Sequence, residues 1–420
     1  MNYNPSKEGG PERMPANAIA LAGGAAALNF PFISTGNAQD RLEIRVGIIG
    51  CGGRGRGAGG NVLNAAQNVK VVALADAFPE QIEAARKTFK DVTDDHCFSG
   101  LDAYQKLCEL KDVNYVILAG PPGFRPVHFE AAVAAGKHVF MEKPVATDAP
   151  GIRTVLAAGE LAKKKGLHVA AGTQRRHQAS YIETIKRIQD GAIGELLYLC
   201  AYWNGGAIWH RGDKGETELE KQVRNWYHYT WLSGDHIVEQ HVHNLDVCNW
   251  IMNSHPIRAL GLGGRAALGN KSGHIFDHHA VEFEYPNGIR LFSQCRQITG
   301  CDHNVSEFVC GTKGKAIPSG TIMPAGGERW RSEAKSSPYV QEHTDLIAAI
   351  RGGKPLNEAQ NVAYSTMTAI MGREATYSGR IIEWDKLMQS NVSLGPARAT
   401  DWNTPAPKVS VAIPGQYKLG

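Results

Sequence analysis

The sequence predicts an α/β domain built on a doubly wound parallel sheet, followed by an α+β domain with a large, mostly antiparallel sheet flanked by helices. Three observations lead to this fold class. Short β-branched runs alternate with longer amphipathic runs in the first half of the chain. A glycine-rich turn follows the first apolar run. After about residue 190 the strand-like runs lengthen and alternate with period two, and 420 residues suffice for two domains.

Composition and charge indicate a globular protein with a small-molecule partner. Hydrophobic residues make up 43% of the chain, and its 47 glycines imply many tight turns. Lys plus Arg (45) exceed Asp plus Glu (41) by only four without a basic block, so we expect no nucleic-acid partner. No run of 18 uninterrupted apolar residues occurs, so we expect no membrane partner. The 8 cysteines form no C-x-x-C pair, which favours free thiols over a disulfide framework or a zinc knuckle.

Residues 1–40 are set apart from the fold as a signal-like or disordered segment. Residues 18–27 are apolar like the core of a signal peptide, and residues 35–39 supply small side chains suited to cleavage. The basic residues that precede them are offset by acidic ones and include no adjacent arginine pair. The protein is therefore expected to be exported or periplasmic if this segment is a signal, and cytoplasmic otherwise.

Residues 41–165 carry the pattern of a parallel α/β domain. The runs expected to form strands are 44–49, 69–75, 115–118 and 138–141, and helical patterns at 80–89 and 127–135 lie between them. Helical stretches of this length between strands imply right-handed βαβ crossovers and hence a parallel sheet.

Residues 166–390 are expected to form the substrate and oligomerisation domain. A strand is predicted at 196–204, and an Asn-Gly turn predicts a hairpin of 279–285 with 289–296. Helices at 343–350 and 362–377 close the domain, and residues 391–420 form an extended C-terminal arm. A free sheet face beside a cofactor domain is where a substrate cleft or a subunit interface forms.

The first chemical motif is the G-x-G-x-x-G turn over residues 50–55, directly after the first strand. Gly50 allows the tight turn, Gly52 lets the backbone approach a pyrophosphate, and Gly55 lets helix and strand pack closely. Gly53 and Arg54 complete the turn and are predicted to contact the cofactor. This spacing between a strand and a helix is typical of the Rossmann fold. The further glycines at 57, 59 and 60 predict a delayed helix start, near residues 61–66.

Asp76 ends the second strand about 20 residues after this turn, the place of a carboxylate that hydrogen-bonds the adenosine ribose. The residues that follow, Ala77-Phe78-Pro79, include no arginine to neutralise a 2′-phosphate. The sequence therefore predicts NAD as the cofactor in preference to NADP.

The second motif is Glu142-Lys143-Pro144, which follows the apolar run 138–141. Ligands of open α/β sheets bind at the carboxyl ends of strands, so Lys143 is a candidate for contacting substrate and Glu142 for contacting the cofactor. With the glycine fingerprint, this segment resembles the Gfo/Idh/MocA family of oxidoreductases, which includes glucose-fructose oxidoreductase and inositol dehydrogenase. The resemblance implies NAD-linked chemistry and, for the second domain, a homo-oligomer.

The third constellation lies in residues 235–246. On one continuous helix Glu239, His243 and Asp246 share a face. In the family that the chain resembles, a helix of the second domain carries a glycine-rich start, an acidic residue, a histidine four residues later and a hydrophobic-Asp pair. Gly234, Glu239, His243 and the pair at 245–246 take these places, although Glu239 stands where Asp is more usual.

Two other interpretations of this helix remain open. His236, Glu239 and His243 could ligate zinc, but three ligands over two turns converge poorly and hydride transfer needs no metal, so no metal site is assigned. Alternatively, His241 and His243 are core histidines, which we prefer for His241 alone.

Several further residues are predicted to contact the substrate. Gln174 and Arg176 follow a strand expected to open the second domain. Trp203, Asn204 and Tyr227 belong to an aromatic-rich region whose rings could stack on the C–H faces of a sugar.

These residues together predict an NAD-dependent oxidoreductase that acts on a secondary alcohol of a sugar, cyclitol or polyol. His243 is expected to take the hydroxyl proton, Lys143 to donate to the same oxygen, and Glu239 to orient substrate or assist the histidine. One alternative is a glycoside hydrolase similar to family 109, which uses a tightly held and recycled NAD. A second alternative is a catalytically silent NAD- or ligand-binding protein.

Overall fold

The protein is described by a computed structural model that covers residues 42–418 except 270–272 and 397. The signal-like segment 1–40 lies outside the described residues. In the first half, strands alternate with helices. The strands are β1 (Ile44–Ile49), β2 (Val69–Asp76), β3 (Cys97–Ser99), β4 (Tyr115–Leu118), β5 (His138–Met141) and β6 (Val169–Ala171). The helices are α1 (Gly53–Leu63), α2 (Pro79–Arg86), α3 (Ala103–Glu109), α4 (Arg125–Ala134) and α5 (Ala149–Lys164).

These strands form one parallel sheet in the order β3-β2-β1-β4-β5-β6, which confirms the doubly wound domain. The strand order reverses between β1 and β4, and the crevice at that point is where such sheets bind ligands. The sheet continues past the predicted boundary at residue 165, because β6 pairs with β5. The strand before Gln174 therefore belongs to the first sheet and does not open the second domain.

Helix α1 begins at Gly53, so the expected delay to residues 61–66 was wrong. The glycines at 55 and 59 are the reason, since a Cβ at Gly55 would lie 1.8 Å from the Gly50 carbonyl oxygen and one at Gly59 2.4 Å from the Phe89 ring. These residues permit close packing of the helix on the sheet instead of postponing it.

The second half begins with helices and one strand, and continues as a large sheet. Its first elements are α6 (Ala179–Gln189), β7 (Leu196–Gly205), α7 (Glu218–Arg224), α8 (Thr230–Ser233), α9 (His236–Glu239) and α10 (Val242–Met252). The strands that follow are β8 (Arg258–Gly264), β9 (His278–Glu284), β10 (Arg290–Gln297), β11 (Asn304–Gly311), β12 (Gly314–Ile317), β13 (Thr321–Pro324) and β14 (Trp330–Arg331). The last elements are α11 (Pro338–Ile350), α12 (Ala359–Ser378), β15 (Ile382–Glu383) and α13 (Trp384–Met388).

The second sheet has nine strands in the order β14-β13-β12-β11-β7-β10-β9-β8-β15. Only β7 and β10 pair in parallel, and β9 and β10 form the predicted hairpin. One face of this sheet is covered by α12, where the ring of Phe283 approaches Gly372 and Thr376 approaches Gly261. The mostly antiparallel α+β domain is confirmed.

Helix α11 returns to the first domain. Its residues Leu346 and Ile347 are buried in the same core as Ile44, Val46 and Ile48 of β1. A parallel sheet must be covered on both faces, and α11 covers part of the face on which α1 lies. The two domains are thus not consecutive stretches of chain.

The C-terminal arm, 391–396 and 398–418, contains no helix or strand, as predicted. Its first part packs on the first domain, where Trp402 stacks on Phe78 at a ring-centroid separation of 5.2 Å, and its end packs on α12 of the second domain, where Tyr417 contacts Tyr377. Within the described residues, no helix is long and apolar enough to cross a membrane. All eight cysteines are free.

Candidate active site

The glycine turn is shaped as the fingerprint requires. Gly50 has φ +94°, and a Cβ there would lie 2.4 Å from the backbone nitrogen of Gly120 after β4, so only glycine fits. At Gly52 and Gly53 a Cβ would meet nothing within 4 Å. That open space faces the N-terminus of α1, whose backbone N–H groups suit a pyrophosphate.

Asp76 lies in the same crevice, at the carboxyl end of β2. One of its carboxylate oxygens accepts from the backbone N–H of Cys51 at 2.7 Å, and the other accepts from that of Phe78 at 2.9 Å. Burial raises the pKa of Asp76 to about 6, although both N–H groups counteract this. Each oxygen keeps a lone pair for a ribose hydroxyl, so the residues fit the adenosine half of a dinucleotide.

A cavity of about 360 Å³ extends from this turn. Its first-domain walls include the glycine turn, Asp76, Tyr104 and His128. The second domain contributes Trp209, Arg211 and Trp226, and the C-terminal arm contributes Ala399. The sequence did not predict a cofactor contact for Trp209, Arg211 or Trp226. They lie more than 130 positions after Asp76, and no local pattern indicates that they line the same cavity.

Arg54 and Glu142 lie together. The guanidinium of Arg54 pairs with the carboxylate of Glu142, which is buried after β5, and its other nitrogen lies 3.1 Å from Glu342 of α11. Arg54 lines the cavity, whereas Glu142 positions Arg54. Glu142 thus reaches the cavity through Arg54, and its predicted direct contact with the cofactor stays a prediction.

Lys143 meets Glu239 at the junction of the two domains. Its ammonium donates to the Glu239 carboxylate at 2.9 Å and to the Glu239 carbonyl oxygen at 2.5 Å. Both side chains are about 10% exposed, so the pair is screened from bulk water. Arg125, fully buried, donates to the carbonyl of Pro144 and fixes the loop that carries Lys143.

His243 lies near this pair. Burial, and then the positive charges of Lys143, Arg175 and Arg54, hold the pKa of His243 well below its usual range. Its ring stacks on Trp203 of β7, with centroids 5.9 Å apart and planes at 23°. The imidazole is thus neutral at pH 7 and able to accept a proton.

The predicted continuous helix over 235–246 was wrong. The chain breaks at Gln240–His241 into α9 and α10, so Glu239 and His243 do not occupy successive turns of one helix. Asp246 does not share a site with Glu239. It receives hydrogen bonds from Arg176 and Ser365 in a buried network.

That network corrects the assignment of Arg176, whose guanidinium is committed to Asp246 and packs on Trp250 at 5.3 Å. His241 is a core histidine, as preferred from the sequence. It is fully buried and its Nε2 lies 2.7 Å from the Ser293 hydroxyl.

One further substrate assignment is corrected and one stays a prediction. Tyr227 is 2% exposed and its hydroxyl accepts from Gln297; burial and then the nearby Glu239 charge raise its pKa, so its predicted contact with substrate stays a prediction. Trp203 and Asn204 are adjacent on a strand, and successive side chains point to opposite faces. Because Trp203 faces His243, Asn204 faces away from it.

Several buried polar atoms near the junction have no hydrogen-bond partner among the described residues. They are Thr173 Oγ1, Gln174 Oε1, Glu239 Oε2 and His243 Nδ1. Gln174 follows β6 and Lys143 follows β5, which are neighbouring parallel strands with their carboxyl ends at one edge. Buried polar groups of this kind are normally hydrogen-bonded, so they suit a ligand rich in hydroxyl groups.

The strand order, glycine turn and acidic strand end define a class, that of oxidoreductases with an NAD-binding Rossmann fold. Residues 44–173 match the family described as "Oxidoreductase family, NAD-binding Rossmann fold", and residues 181–317 match the "GFO/IDH/MocA C-terminal domain". The chain belongs to the Gfo/Idh/MocA family, which confirms the resemblance, and its cofactor is NAD.

Several relatives of the chain are named inositol 2-dehydrogenase. The inositol 2-dehydrogenase of Ralstonia nicotianae is 27% identical over 254 residues, which are 60% of this chain and 66% of the relative. That of Gluconacetobacter diazotrophicus is 26% identical over 288 residues, 67% of this chain and 76% of the relative. For the first of these relatives, the match thus spans just under two thirds of its length.

Two solved structures share the fold. The scyllo-inositol dehydrogenase from Lactobacillus casei with bound NAD(H) and scyllo-inositol has a TM-score of 0.63 and 19% identity, covering 82% of this chain and all of that one. The aldose-aldose oxidoreductase from Caulobacter crescentus complexed with glycerol has a TM-score of 0.66 and 19% identity, covering 81% and 100%.

Proposed function

We propose that this protein is an NAD-dependent dehydrogenase that oxidises a secondary alcohol of a cyclitol, sugar or related polyol. The observation that carries the proposal is the buried Lys143–Glu239 pair at the junction of the two domains, with His243 close enough for the Lys143 charge to help lower its pKa. The inositol dehydrogenases among the relatives support the same substrate class.

In this mechanism bound NAD supplies the hydride acceptor. His243 takes the proton of the substrate hydroxyl, for which its neutral state at pH 7 prepares it. Lys143 donates a hydrogen bond to the same oxygen and stabilises the negative charge that develops there. Glu239 holds the Lys143 ammonium in place through two acceptors and keeps one carboxylate oxygen for the substrate.

Substrate selection rests on the unpartnered polar atoms at the junction. Gln174 Oε1, Thr173 Oγ1 and Glu239 Oε2 offer acceptors for several hydroxyl groups at once. An analogue that lacks those hydroxyls would leave these atoms buried and unpaired, which costs about 1–3 kcal/mol for each. Trp203 adds a flat apolar surface beside His243 for the C–H face of a ring.

The deciding experiment is to incubate purified protein with NAD and a panel of inositols, sugars and chromogenic glycosides, following NADH and released aglycone together. NADH that accumulates with a cyclitol or sugar supports the dehydrogenase. Aglycone released without net NADH would replace it with the recycled-NAD hydrolase. NAD binding without either product would leave the silent binding protein.

We also propose that the protein forms a homo-oligomer through the outer face of the nine-stranded sheet. Apolar side chains that alternate with core residues lie exposed on this face: Tyr198, Leu260, Leu262 and Phe292. Leu262 is 77% exposed, and a second copy is the occupant that would bury it. Leu262→Asp should lower the molar mass measured by light scattering, whereas Leu161→Asp, on α5, should not. A wild-type monomer would refute this arrangement.

Export is proposed from the apolar segment 18–27 and the small residues that follow it. The mature chain is then expected to begin between residues 36 and 42. Mass spectrometry of protein from its native host gives the test, and an intact Met1 would count against export.

A further inference from the structure

A second group of ionisable side chains lies apart from Lys143 and His243. Asp235, His236 and His279 are almost completely buried, and one ligand atom from each lies within 4.8 Å of the other two. Asp235 and His236 lie at the start of α9, and His279 projects from β9. The proposed oxidation assigns no part to any of them.

The hydrogen bonds of Asp235 fix its carboxylate. Oδ2 accepts from the backbone N–H of Phe276 at 2.8 Å and from the hydroxyl of Tyr377. Oδ1 accepts from the backbone N–H of His236. The residue has φ +77°, a conformation that costs a non-glycine residue roughly 1–3 kcal/mol and persists only where surrounding contacts hold it.

The proton on His279 can be located from its neighbour Thr376. The Thr376 hydroxyl donates its only hydrogen to the carbonyl oxygen of Arg373, so its oxygen must accept from the ring Nδ1 of His279, 2.8 Å away. A buried imidazole favours the neutral form, which carries one proton. Nε2 of His279 therefore presents a lone pair, and it lies 3.3 Å from Oδ1 of Asp235.

His236 is in a similar position. Its Nδ1 lies 2.9 Å from the same carboxylate oxygen and its ring also interacts with the Cys295 thiol, but among the described residues neither ring nitrogen makes a hydrogen bond of good geometry. The Nε2 of His279 likewise has none within that part of the chain. Leaving such groups unpaired costs about 1–3 kcal/mol each, and a cation placed between the three ligand atoms would compensate them.

We propose that Asp235, His236 and His279 bind one divalent transition-metal ion, with Zn²⁺ the best match. Two imidazoles and a carboxylate are ligands that zinc accepts, and the hydrogen bond from His279 to Thr376 is the outer contact that orients a metal-binding histidine. Cys295 lies directly opposite His279 in the β9–β10 ladder, is buried and interacts with His236; its thiol is not among the ligand atoms within 4.8 Å of one another, so it is a candidate fourth ligand only.

The role of this ion is structural. The ligands are closed to solvent, unlike those of a catalytic zinc, which keeps a position open. The ion ties the start of α9 to β9, and α9 carries Glu239, the residue that holds Lys143. The set differs from the one considered from sequence, since Glu239 pairs with Lys143 and His243 stacks on Trp203.

The test measures metal content in the full-length protein. Protein grown with zinc in the medium is dialysed against metal-free buffer and assayed by inductively coupled plasma mass spectrometry. We expect about one zinc ion per chain. His279→Gln should lose most of the metal, while His278→Gln should keep it. His278 is the matched control because its ring lies on the opposite face of β9, half exposed and bonded to Asp277.

A second variant distinguishes loss of the metal site from misfolding of the protein. Thr376→Val keeps all three ligands but removes the acceptor of the His279 proton, so zinc affinity measured against a chelator should fall about 10- to 100-fold. The proposal is overturned if wild-type protein, supplied with Zn²⁺ and then dialysed, retains no metal and shows no change in melting temperature. It is also overturned if His278→Gln loses as much metal as His279→Gln.

Discussion

The ammonium nitrogen of Lys143 lies 2.9 Å from Oε1 of Glu239, and this contact joins the end of β5 in the first domain to α9 in the second. The two residues are far apart in sequence, so their meeting depends on how the domains dock. It places Lys143 one residue after Glu142, whose carboxylate pairs with Arg54 in the wall of the cofactor cavity.

Removal of either candidate catalytic side chain should abolish most turnover while sparing the cofactor site. For Lys143→Ala and His243→Ala we expect kcat to fall by about 10²-fold or more, the usual contribution of a positioned acid or base. NAD affinity measured by calorimetry should stay near normal, because neither residue lines the cavity at the glycine turn.

His241→Ala is the control for that pair. His241 is buried against Ser293, so its loss should lower the free energy of unfolding by about 1–3 kcal/mol and leave kcat largely intact. Near-normal turnover in His243→Ala together with lost turnover in His241→Ala would move the base away from His243.

Asp76 should determine the choice between NAD and NADP. Its carboxylate can accept from both ribose hydroxyls and repels a 2′-phosphate. Asp76→Ala should weaken NAD binding and reduce the difference in affinity between NAD and NADP, both measured by calorimetric titration. Wild-type protein that binds NADP as tightly as NAD would contradict this assignment.

NAD affinity should depend on pH through the same residue. Burial raises the pKa of Asp76 to about 6, so in the protein without NAD this side chain becomes protonated and uncharged as pH falls through that value. The dissociation constant for NAD should therefore rise between pH 7 and pH 5. Asp76→Asn removes the titration and should give a weaker but flatter profile, and an equally steep profile in that variant would exclude Asp76 as the cause.

His177 should stabilise the domain junction in a pH-dependent way. Burial lowers its pKa, but hydrogen bonds to Asp345 and Glu358 outweigh this and raise the pKa of His177 to about 10. A raised pKa means that the stabilisation is complete below about pH 6.5 and is lost as pH rises through about 10. The difference in unfolding free energy between wild type and His177→Gln, measured with urea, should shrink from pH 6 to pH 10. If the difference in unfolding free energy stayed constant from pH 6 to pH 10, the charge of His177 would not stabilise this junction.

Local patterns made the cofactor residues predictable. Gly50, Gly52 and Gly55 act through the geometry of one strand–turn–helix unit, and Asp76 and Lys143 end strands whose apolar runs are visible in the sequence. Parallel strands end at the same edge of a sheet, so these residues lie along one edge wherever the sheet forms. The antiparallel hairpin was predictable for the same reason, since its Asn-Gly turn is local.

Contacts between segments far apart in sequence could be identified only from the tertiary structure. From the sequence Arg176 was a candidate for contacting substrate, but its guanidinium pairs with Asp246, a residue 70 positions away.

The sequence by itself determined the parallel sheet, the glycine turn with Asp76, and the presence of Lys143 at a strand end, because each depends on side-chain period or turn geometry within a few residues. Only the tertiary structure decided that α9 and α10 break between Glu239 and His243, that Trp209 and Arg211 close the cofactor cavity, and that His279 reaches Asp235. Which side chains become buried or form ion pairs depends on how distant segments pack against each other. Such packing produces no periodic pattern in the sequence.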